Sequence, residues 1–269
     1  MNSDNAYIAD GIKFIPAKPQ NSVRFVCISD THGKSLKNLP AGDVLLCAGD
    51  FTMLGDIPAI SRFNAYLGKL PYKHKVVIAG NHELLLDDEH ANHLSRRFNK
   101  TRRWKSDLIK YNVNKGEELL TNCVYLKDQD VNIDGIKIYG SPWVPDLNDW
   151  AFYCERESMS QVWSNVPADC DILLTHTAPF GYGDRVVESN SSFYKDGASL
   201  CKLVGCRYLL DKVKEINPKF HVFGHIHEGH GIYSSSNTVF INCAICDKEY
   251  QPTQYPIIFD FMKENLLLC

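Results

Sequence analysis

The chain of 269 residues is long enough for one large α/β domain or two small ones, and its 44% hydrophobic residues can fill a sizeable core. Its formal net charge of −3 argues against a general nucleic-acid binder. The apolar runs are short, and the first residues carry neither the basic nor the apolar segment of a signal peptide. We therefore expect a cytoplasmic protein with no membrane contact.

The cysteines of this chain are expected to be free thiols rather than disulfides. Cys27, Cys47 and Cys243 lie in apolar, strand-like runs of a chain that we expect to be intracellular. Cys246 follows Cys243 at CxxC spacing, but the chain has no second such pair for a zinc ribbon. A redox or zinc role for this pair is therefore disfavoured.

The N-terminal part of the chain predicts repeated strand-and-turn units. Residues 1–22 are polar and proline-spaced, so we expect a short lead-in followed by one domain over residues 23–269. Apolar runs at residues 23–29, 44–48 and 75–79 predict strands buried on both faces of a parallel sheet. They end in DTHG, GD and GNHE. After Asp56, apolar residues at helical spacing predict a helix, namely Ile60, Phe63 and Leu67.

The middle of the chain is less regular. Residues 83–119 are charged and lack a strand pattern, which predicts a helical excursion outside the sheet. The basic side chains at residues 96–105 surround Trp104 and could contact a substrate phosphate or nucleic acid, although we favour a solvated helix face. They are Arg96, Arg97, Lys100, Arg102, Arg103 and Lys105.

Two strands are then predicted, at residues 124–126 and 131–139, the second interrupted by the hairpin pair Asp134-Gly135. Three aromatic residues follow, and packing within a loop is a more common role for such a cluster than stacking on a base. They are Trp143, Trp150 and Phe152.

The C-terminal part returns to strands. An apolar run at residues 171–175 ends at His176, and a helix is predicted from about residue 199 to 216, closed by Asn217-Pro218. The strand at residues 220–223 leads into GHIH, whose two imidazoles stand at i and i+2 and so lie on one side of the chain. Two further strands are predicted at residues 238–245 and 256–261.

Seven side chains able to bind metal fall at or just after the ends of these strands. Ligand sites in open α/β sheets form at this edge, because the loops after the strands converge there. Two carboxylates, one amide and four imidazoles are too many for one tetrahedral site but suit two ions bridged by a carboxylate. Mixed oxygen and nitrogen donors without thiolate favour Mn, Fe or Zn. The seven are Asp30, His32, Asp50, Asn81, His176, His225 and His227.

In this order, the motifs DTH, GD, GNHE, TH and GHIH resemble those of the calcineurin-like metallophosphoesterases, and the resemblance covers residues 23–261. The stretches FVCISDTHG, VIAGNHELL and HVFGHIHEG are similar to those of the animal metallophosphoesterase-domain-containing proteins, a branch similar to class III cyclic-nucleotide phosphodiesterases. The resemblance implies an α/β fold of four layers, an α/β/β/α sandwich.

The resemblance also implies a role for each position. It assigns one of two divalent or trivalent ions to Asp30, His32 and His227, and the other to Asn81, His176 and His225. It makes Asp50 the bridging ligand and His82 the non-ligand histidine that protonates the leaving group. A metal-bridging hydroxide would then attack phosphorus, and Asn81 and His82 would meet the charge that develops on the phosphoryl oxygens.

The residues after Asp50 narrow the expected substrate. Phosphoprotein phosphatases of this superfamily place an aspartate and an arginine after GD, whereas this chain has Gly49-Asp50-Phe51-Thr52-Met53. Without the arginine that would clamp a monoester dianion, we expect a phosphodiesterase for small phosphodiesters or nucleotides, with cyclic nucleotides as candidates. The alternative is a nucleotide-binding or scaffold protein with a weakly active site. The oligomeric state does not follow from the sequence.

Overall fold

The computed structural model describes residues 6–9, 15–88, 108–145, 150–188 and 200–263. Within these residues, six strands form the first sheet, in the order β1-β16-β2-β3-β4-β5. The strands β2 to β5 are parallel, and β16 runs antiparallel to β1 and β2. The six are β1 (Ala6–Ile8), β2 (Ser22–Ile28), β3 (Val44–Ala48), β4 (His74–Ile78), β5 (Val124–Tyr125) and β16 (Ile257–Met262).

The second sheet also has six strands in the described part of the chain, in the order β14-β15-β13-β10-β7-β6. Its four central strands are parallel, and its two edge strands are antiparallel to their neighbours. The six are β6 (Gln129–Ile133), β7 (Ile136–Ser141), β10 (Ile172–Thr175), β13 (Phe220–Phe223), β14 (Gly231–Ser234) and β15 (Val239–Asn242). Two short pairs complete the described strands: β8 (Val144–Pro145) with β9 (Tyr153–Cys154), and β11 (Arg185–Glu188) with β12 (Leu200–Leu203).

The two sheets pack face to face around an apolar core. Phe259 of β16 stacks on Phe25 of the same sheet, with ring centroids 4.7 Å apart, and on Phe220 of the second sheet at 4.0 Å. Alternate residues of the central strands point into this core and into the outer layers, since side chains alternate along a strand. Strands β2 and β3 are buried on both faces along their whole length, as their apolar sequences predict.

Helices cover the outer faces of the sheets. Within the described ranges the α-helices of more than one turn are α1 (Ile57–Leu67), α2 (Met159–Ser164) and α3 (Arg207–Ile216). The Asp56 side chain accepts a hydrogen bond from the Ala59 amide at 2.9 Å and so caps α1, whose Ile60, Phe63 and Leu67 are buried. Phe63 stacks on Phe51 of the loop after β3. The helices and sheets together confirm the predicted α/β/β/α sandwich.

Some predicted boundaries differ from the structure. The residues expected as a lead-in include the edge strand β1, which is too short for periodicity to reveal. The predicted helix at residues 199–216 begins only at Arg207, because Leu200–Leu203 pairs with β11 instead. In the described part of the predicted helical excursion, residues 108–110 are α-helical and Leu84–Leu86 and Gly116–Leu119 form single 3₁₀ turns, while the basic residues 96–105 lie outside the described residues. The hairpin at Asp134-Gly135 is confirmed, with positive φ at both residues.

No helix of the described residues has the length and apolarity needed to cross a membrane.

Candidate metal centre

The predicted ligands come together where the two sheets meet at the carboxyl ends of their central strands. The turns after β2, β3 and β4 carry the carboxylates and the amide, together with His32 and His82, and the turns after β10 and β13 carry the remaining imidazoles. All seven predicted ligand residues are in the cluster or in direct contact with it. Convergence of loops at this edge brings residues almost 200 positions apart to one place.

One group of potential ligands consists of Asp30, His32 and His227, whose donor atoms all lie within 4.8 Å of one another. The Nε2 atoms of the two histidines are 3.2 Å apart, and His227 Nε2 lies 3.5 Å from Asp30 Oδ1. Asp30 is fully buried, and the His32 side chain is almost so. The lone pairs of these three residues thus converge on one small volume.

A second group consists of Asp50, His176 and His225, again with donor atoms within 4.8 Å. His176 Nε2 lies 3.3 Å from Asp50 Oδ2 and 3.0 Å from Asn81 Oδ1, so the amide belongs to this group. Asp50 also lies within the same distance of His32 and His82. It is therefore the carboxylate that reaches both groups, the position expected of a bridging ligand.

The backbone at the cluster adopts conformations that are costly for residues other than glycine. Four of the cluster residues have positive φ: Asp30 (52°), His32 (45°), Asp50 (51°) and His225 (68°). The turns are held by hydrogen bonds, with the Asp30 amide donating to Gly49 O and the His32 amide to Asp50 O. Such strain persists only where the surrounding structure enforces it, and its concentration here marks a functional site.

Backbone carbonyls orient three of the imidazoles. The Nδ1 atoms of His82, His176 and His227 lie 2.7 Å from Met53 O, Ala48 O and Asp247 O, respectively. Because a carbonyl can only accept a hydrogen bond, each Nδ1 carries the proton. The Nε2 atoms of these rings therefore face the cluster.

Glu83 is a structural partner of the site that the sequence analysis did not assign. Its buried carboxylate accepts hydrogen bonds from the amides of Asp50 and Gly80, both at 2.8 Å, and from the amide and hydroxyl of Thr52, at 2.9 and 2.8 Å. It thereby ties the turn after β3 to the turn after β4. The GNHE motif contains this glutamate, but its partners are set by tertiary contacts.

Two glycines allow the close approach of the ligands. A Cβ atom at Gly80 would lie 2.3 Å from Asp50 Oδ1 and 2.6 Å from His176 Nε2, and one at Gly224 would lie 2.1 Å from Asp30 Oδ2. Neither distance is compatible with a side chain. The glycines of GNHE and GHIH are therefore needed for the packing of the carboxylates.

The charges of the cluster are strongly coupled across the two sheets. Burial would lower the pKa of His176, but the negative charge of Asp50 raises it to about 9. Burial likewise opposes protonation of His227, whose pKa is raised to about 8 by Asp30. Burial lowers the pKa of His32 and of His225 to about 4. Without metal, two of these imidazoles are thus protonated at neutral pH and two are neutral.

The cluster fits divalent metal ions. Asp30 Oδ1 is buried, has no hydrogen-bond partner among the described residues and lies 3.5 Å from the protonated Nε2 of His227, so a metal ion could take the place of that proton as its counter-charge. The donors are carboxylate, amide and imidazole, without thiolate, which suits borderline ions such as Mn, Fe and Zn.

A cleft of about 290 Å³ opens beside the cluster. Asp50, Asn81 and His82 line it on one side, and its wall also includes residues that the sequence analysis did not place in the site, among them Tyr250 and Lys248. The sequence gives no signal for these two residues, because residues 247–256 of the loop after β15 contain no motif. A small organophosphate could reach the cluster through this cleft.

This fold, with the His, Asp and Asn cluster and the open cleft beside it, is that of a metal-dependent phosphoester hydrolase. The family model of the calcineurin-like phosphoesterases matches residues 23–229, and the chain belongs to this family.

Curated relatives agree with this assignment. The chain is 42% identical over 267 residues to the UPF0046 protein C25E10.12 of Caenorhabditis elegans, with 94% of this chain and 89% of the relative covered. It is 40% identical over 256 residues to Metallophosphoesterase domain-containing protein 1 of Homo sapiens, with 94% and 75% covered. One solved crystal structure superimposes with a TM-score of 0.56 over 82% of this chain and 90% of the other, at 15% identity, which shows a shared fold.

Proposed function

We propose that this chain is a dinuclear metal-dependent phosphodiesterase that hydrolyses small phosphodiesters, with cyclic nucleotides as candidate substrates. The observation that supports it most is the position of Asp50, whose carboxylate has an oxygen within 4.8 Å of donor atoms of His32 in the first group and of His176 and His225 in the second. A single buried carboxylate between two donor groups is the arrangement that a two-metal site requires.

In this proposal Asp30, His32 and His227 would hold one ion, Asn81, His176 and His225 would hold the other, and Asp50 would be shared between them. When bound, such ions supply Lewis acidity, which makes water a nucleophile near neutral pH, and positive charge for the phosphoryl oxygens. The protein supplies the orientation of the ligands, through the Nδ1 contacts of His176 and His227 to backbone carbonyls.

His82 is proposed to give a proton to the leaving oxygen. It lines the cleft, its amide donates to Asp50 Oδ1 at 2.9 Å, and its Nε2 lies 3.9 Å from Asp50 Oδ2. The Met53 carbonyl accepts a hydrogen bond from Nδ1 and so orients the ring. With Nδ1 committed to this bond, a proton for the substrate can be held at Nε2.

The charge of the cleft favours diesters over monoesters. Among the described residues that line it, Lys248 is the only lysine or arginine. Its Nζ atom forms an ion pair with Glu249 Oε1 at 3.7 Å. A monoester carries nearly two negative charges at neutral pH and a diester carries one. A cleft whose single lysine is already paired with a glutamate therefore offers little additional binding energy to the second negative charge of a monoester.

The test combines metal analysis with two chromogenic substrates. Protein reconstituted with Mn²⁺ should contain about two ions per chain and should hydrolyse bis-p-nitrophenyl phosphate with a higher kcat/KM than p-nitrophenyl phosphate. At most one ion per chain would exclude the dinuclear proposal. A strong monoester preference would exclude the diester proposal and would direct attention to Arg96 and its basic neighbours, whereas two bound ions without turnover of either ester would favour a binding role.

A further inference from the structure

Two aromatic rings that the proposed chemistry does not use line the cleft beside the candidate metal ligands. Trp150 and Tyr250 both line the cleft, together with the apolar side chains of Val186 and Ile226. The ring centroid of Trp150 lies 4.3 Å from that of His82, and the ring of Tyr250 lies 4.6 Å from His32 and 6.3 Å from His82. The two aromatic side chains thus border the space in front of the cluster.

Tyr250 is held in this place by a strained and extensively bonded loop. Its φ of 58° lies in the left-handed region, which is costly for an aromatic residue. Its amide donates to Asp247 O at 2.9 Å, and the Asp247 carboxylate accepts from the amides of Glu249 and Gln251 and from the Thr253 hydroxyl. The Asp247 carbonyl also orients His227, so one loop positions both a candidate ligand and this ring.

Trp150 is anchored to the other side of the cluster. The amide of the next residue, Ala151, donates to Asn81 O at 3.1 Å. The amide of Phe152 donates to the buried carboxylate of Asp87. The Trp150 ring is half-buried and lies at 40° to the plane of His82, so part of its surface remains open to the cleft. The sequence suggested simple loop packing for this residue, whereas it lies at the candidate active site.

We propose that Trp150 and Tyr250 form a subsite that binds a planar unsaturated ring carried by the organophosphate substrate, next to the phosphoryl group at the metal centre. This inference rests on the proposed function and narrows its substrate class to esters of alcohols that bear an aromatic or heteroaromatic ring. Stacking on aromatic side chains discriminates planar rings from saturated rings of similar size, because offset or edge-to-face contact uses the ring quadrupole in addition to buried area. The hydrogen bonds around Asp247 hold Tyr250 in its strained backbone conformation, with its ring lining the cleft.

Binding of three non-hydrolysable phosphonates to Mn²⁺-loaded protein tests the proposal by calorimetry. Benzylphosphonate and cyclohexylmethylphosphonate have similar size and the same charge, and methylphosphonate reports on the metal centre alone. Area burial would favour the more apolar cyclohexyl ring, so a preference for benzyl isolates the aromatic contact. We expect benzylphosphonate to bind about 5-fold more tightly than cyclohexylmethylphosphonate.

Three variants locate the preference. Tyr250→Leu and Trp150→Leu should each lower the benzyl-to-cyclohexylmethyl ratio to about 1, while Tyr250→Phe should keep it. Tyr255→Leu is the matched control, because Tyr255 is 44% exposed, close to the 39% of Tyr250, but does not line the cleft. It should keep the wild-type ratio.

The subsite would be overturned if the wild-type protein failed to bind benzylphosphonate or bound it no more tightly than cyclohexylmethylphosphonate. It would also be overturned if the preference for benzylphosphonate persisted in both Tyr250→Leu and Trp150→Leu. The proposed activity is judged separately. A protein that prefers benzylphosphonate but cleaves no diester would support the subsite and contradict the phosphodiesterase proposal. A protein that cleaves diesters but shows no preference for the aromatic ring would support the phosphodiesterase proposal and contradict the subsite.

Discussion

The turns after the strands of the first sheet differ in kind from those of the second. The first-sheet turns carry Asp30, Asp50 and Asn81, and the backbones of both aspartates are strained and hydrogen-bonded to neighbouring turns. The first-sheet turns also carry His32 and His82. Of the candidate ligands, the second-sheet turns carry only imidazoles; His225 shares the positive φ of the aspartates, and carbonyl contacts orient His176 and His227. The first sheet thus supplies both carboxylates. The second supplies imidazole rings that face these carboxylates and can lose their protons.

This division explains the electrostatics of the site. Each carboxylate of the first sheet stabilises a proton on an imidazole of the second, Asp50 on His176 and Asp30 on His227. The pKa of each aspartate is lowered in turn: burial opposes the shift, but the paired histidine outweighs it. Metal binding replaces two protons between the sheets, so substitutions on the two sides should have different effects.

The largest effect is expected where the two sides meet. Asp50→Asn keeps the shape of the side chain but removes the charge that both donor groups share. Removal of a residue that only hydrogen-bonds to a metal ligand already lowers metal affinity or activity by about 10- to 100-fold. Loss of the Asp50 carboxylate itself should therefore lower kcat/KM for a diester by more than about 100-fold. It should also reduce the metal content below two ions. Asp56→Asn, which retains the cap of α1, should leave both unchanged. Full metal content with intact activity would refute the bridging role of Asp50.

His82→Ala tests a residue of the first sheet that is not a proposed ligand. General-acid catalysis contributes about 10²- to 10⁴-fold, but only where the leaving oxygen needs a proton. Hydrolysis of a cyclic nucleotide should therefore fall by about that factor, while that of bis-p-nitrophenyl phosphate, whose nitrophenolate leaves readily, should fall much less. Metal content should not change. Equal losses on both substrates would assign His82 to charge stabilisation instead.

Glu83→Gln tests the frame of the first sheet. The amide keeps one accepting oxygen but places an NH₂ group against two of the four donors now bonded to the carboxylate. We expect a loss of about 3 kcal/mol in the free energy of unfolding, measured with urea, and a 10- to 100-fold loss of metal affinity.

The matched control is Asp260→Asn, which breaks the buried ion pair with Arg24 on β2 and β16, at the other end of the strands from the site. It should destabilise the fold by about 3 kcal/mol as well. Its metal affinity should not change. If both variants lost affinity equally, Glu83 would be a general stabilising residue without a specific link to the site.

The smallest effect concerns the imidazoles of the second sheet. With pKa values of about 9 and 8 in the metal-free protein, His176 and His227 bind protons at pH 7 that metal ions must displace. Calorimetry in buffers of different ionisation enthalpy should show release of about two protons per loaded chain at pH 7. Release should decline above about pH 8. No proton release at pH 7 would show that the carboxylates do not keep these imidazole rings protonated in the metal-free protein.

As pH rises, the stability of the metal-free fold and its affinity for metal should change in opposite directions. A pKa raised from 6.5 in the unfolded chain stabilises the metal-free fold fully below pH 6.5, and this contribution is lost as pH rises through 8 to 9. The metal-free protein should therefore lose stability over this range, in urea unfolding experiments, while its metal affinity increases. A stability that rises with pH over this range would contradict the assigned ion pairs.

Much of this protein follows from its sequence alone. The apolar runs that end in DTHG, GD, GNHE and GHIH identify the buried strands and place the ligand types at their carboxyl ends, because period-two patterning and strand length are local properties. The family resemblance adds the sandwich architecture, which the structure confirms. The residue roles inferred for the seven ligands remain predictions, although the fold brings these residues together.

Only the tertiary structure decided how the site is supported and what faces it. Glu83, Asp247 and the carbonyl of Met53 act through hydrogen bonds to residues from 20 to 33 positions away, and no local pattern encodes such partners. Trp150 and Tyr250 are 100 residues apart and lie in loops whose sequences carry no periodicity, yet both line one cleft. Ligand types recur at strand ends and can be found by motif, whereas contacts between loops depend on how the two sheets pack.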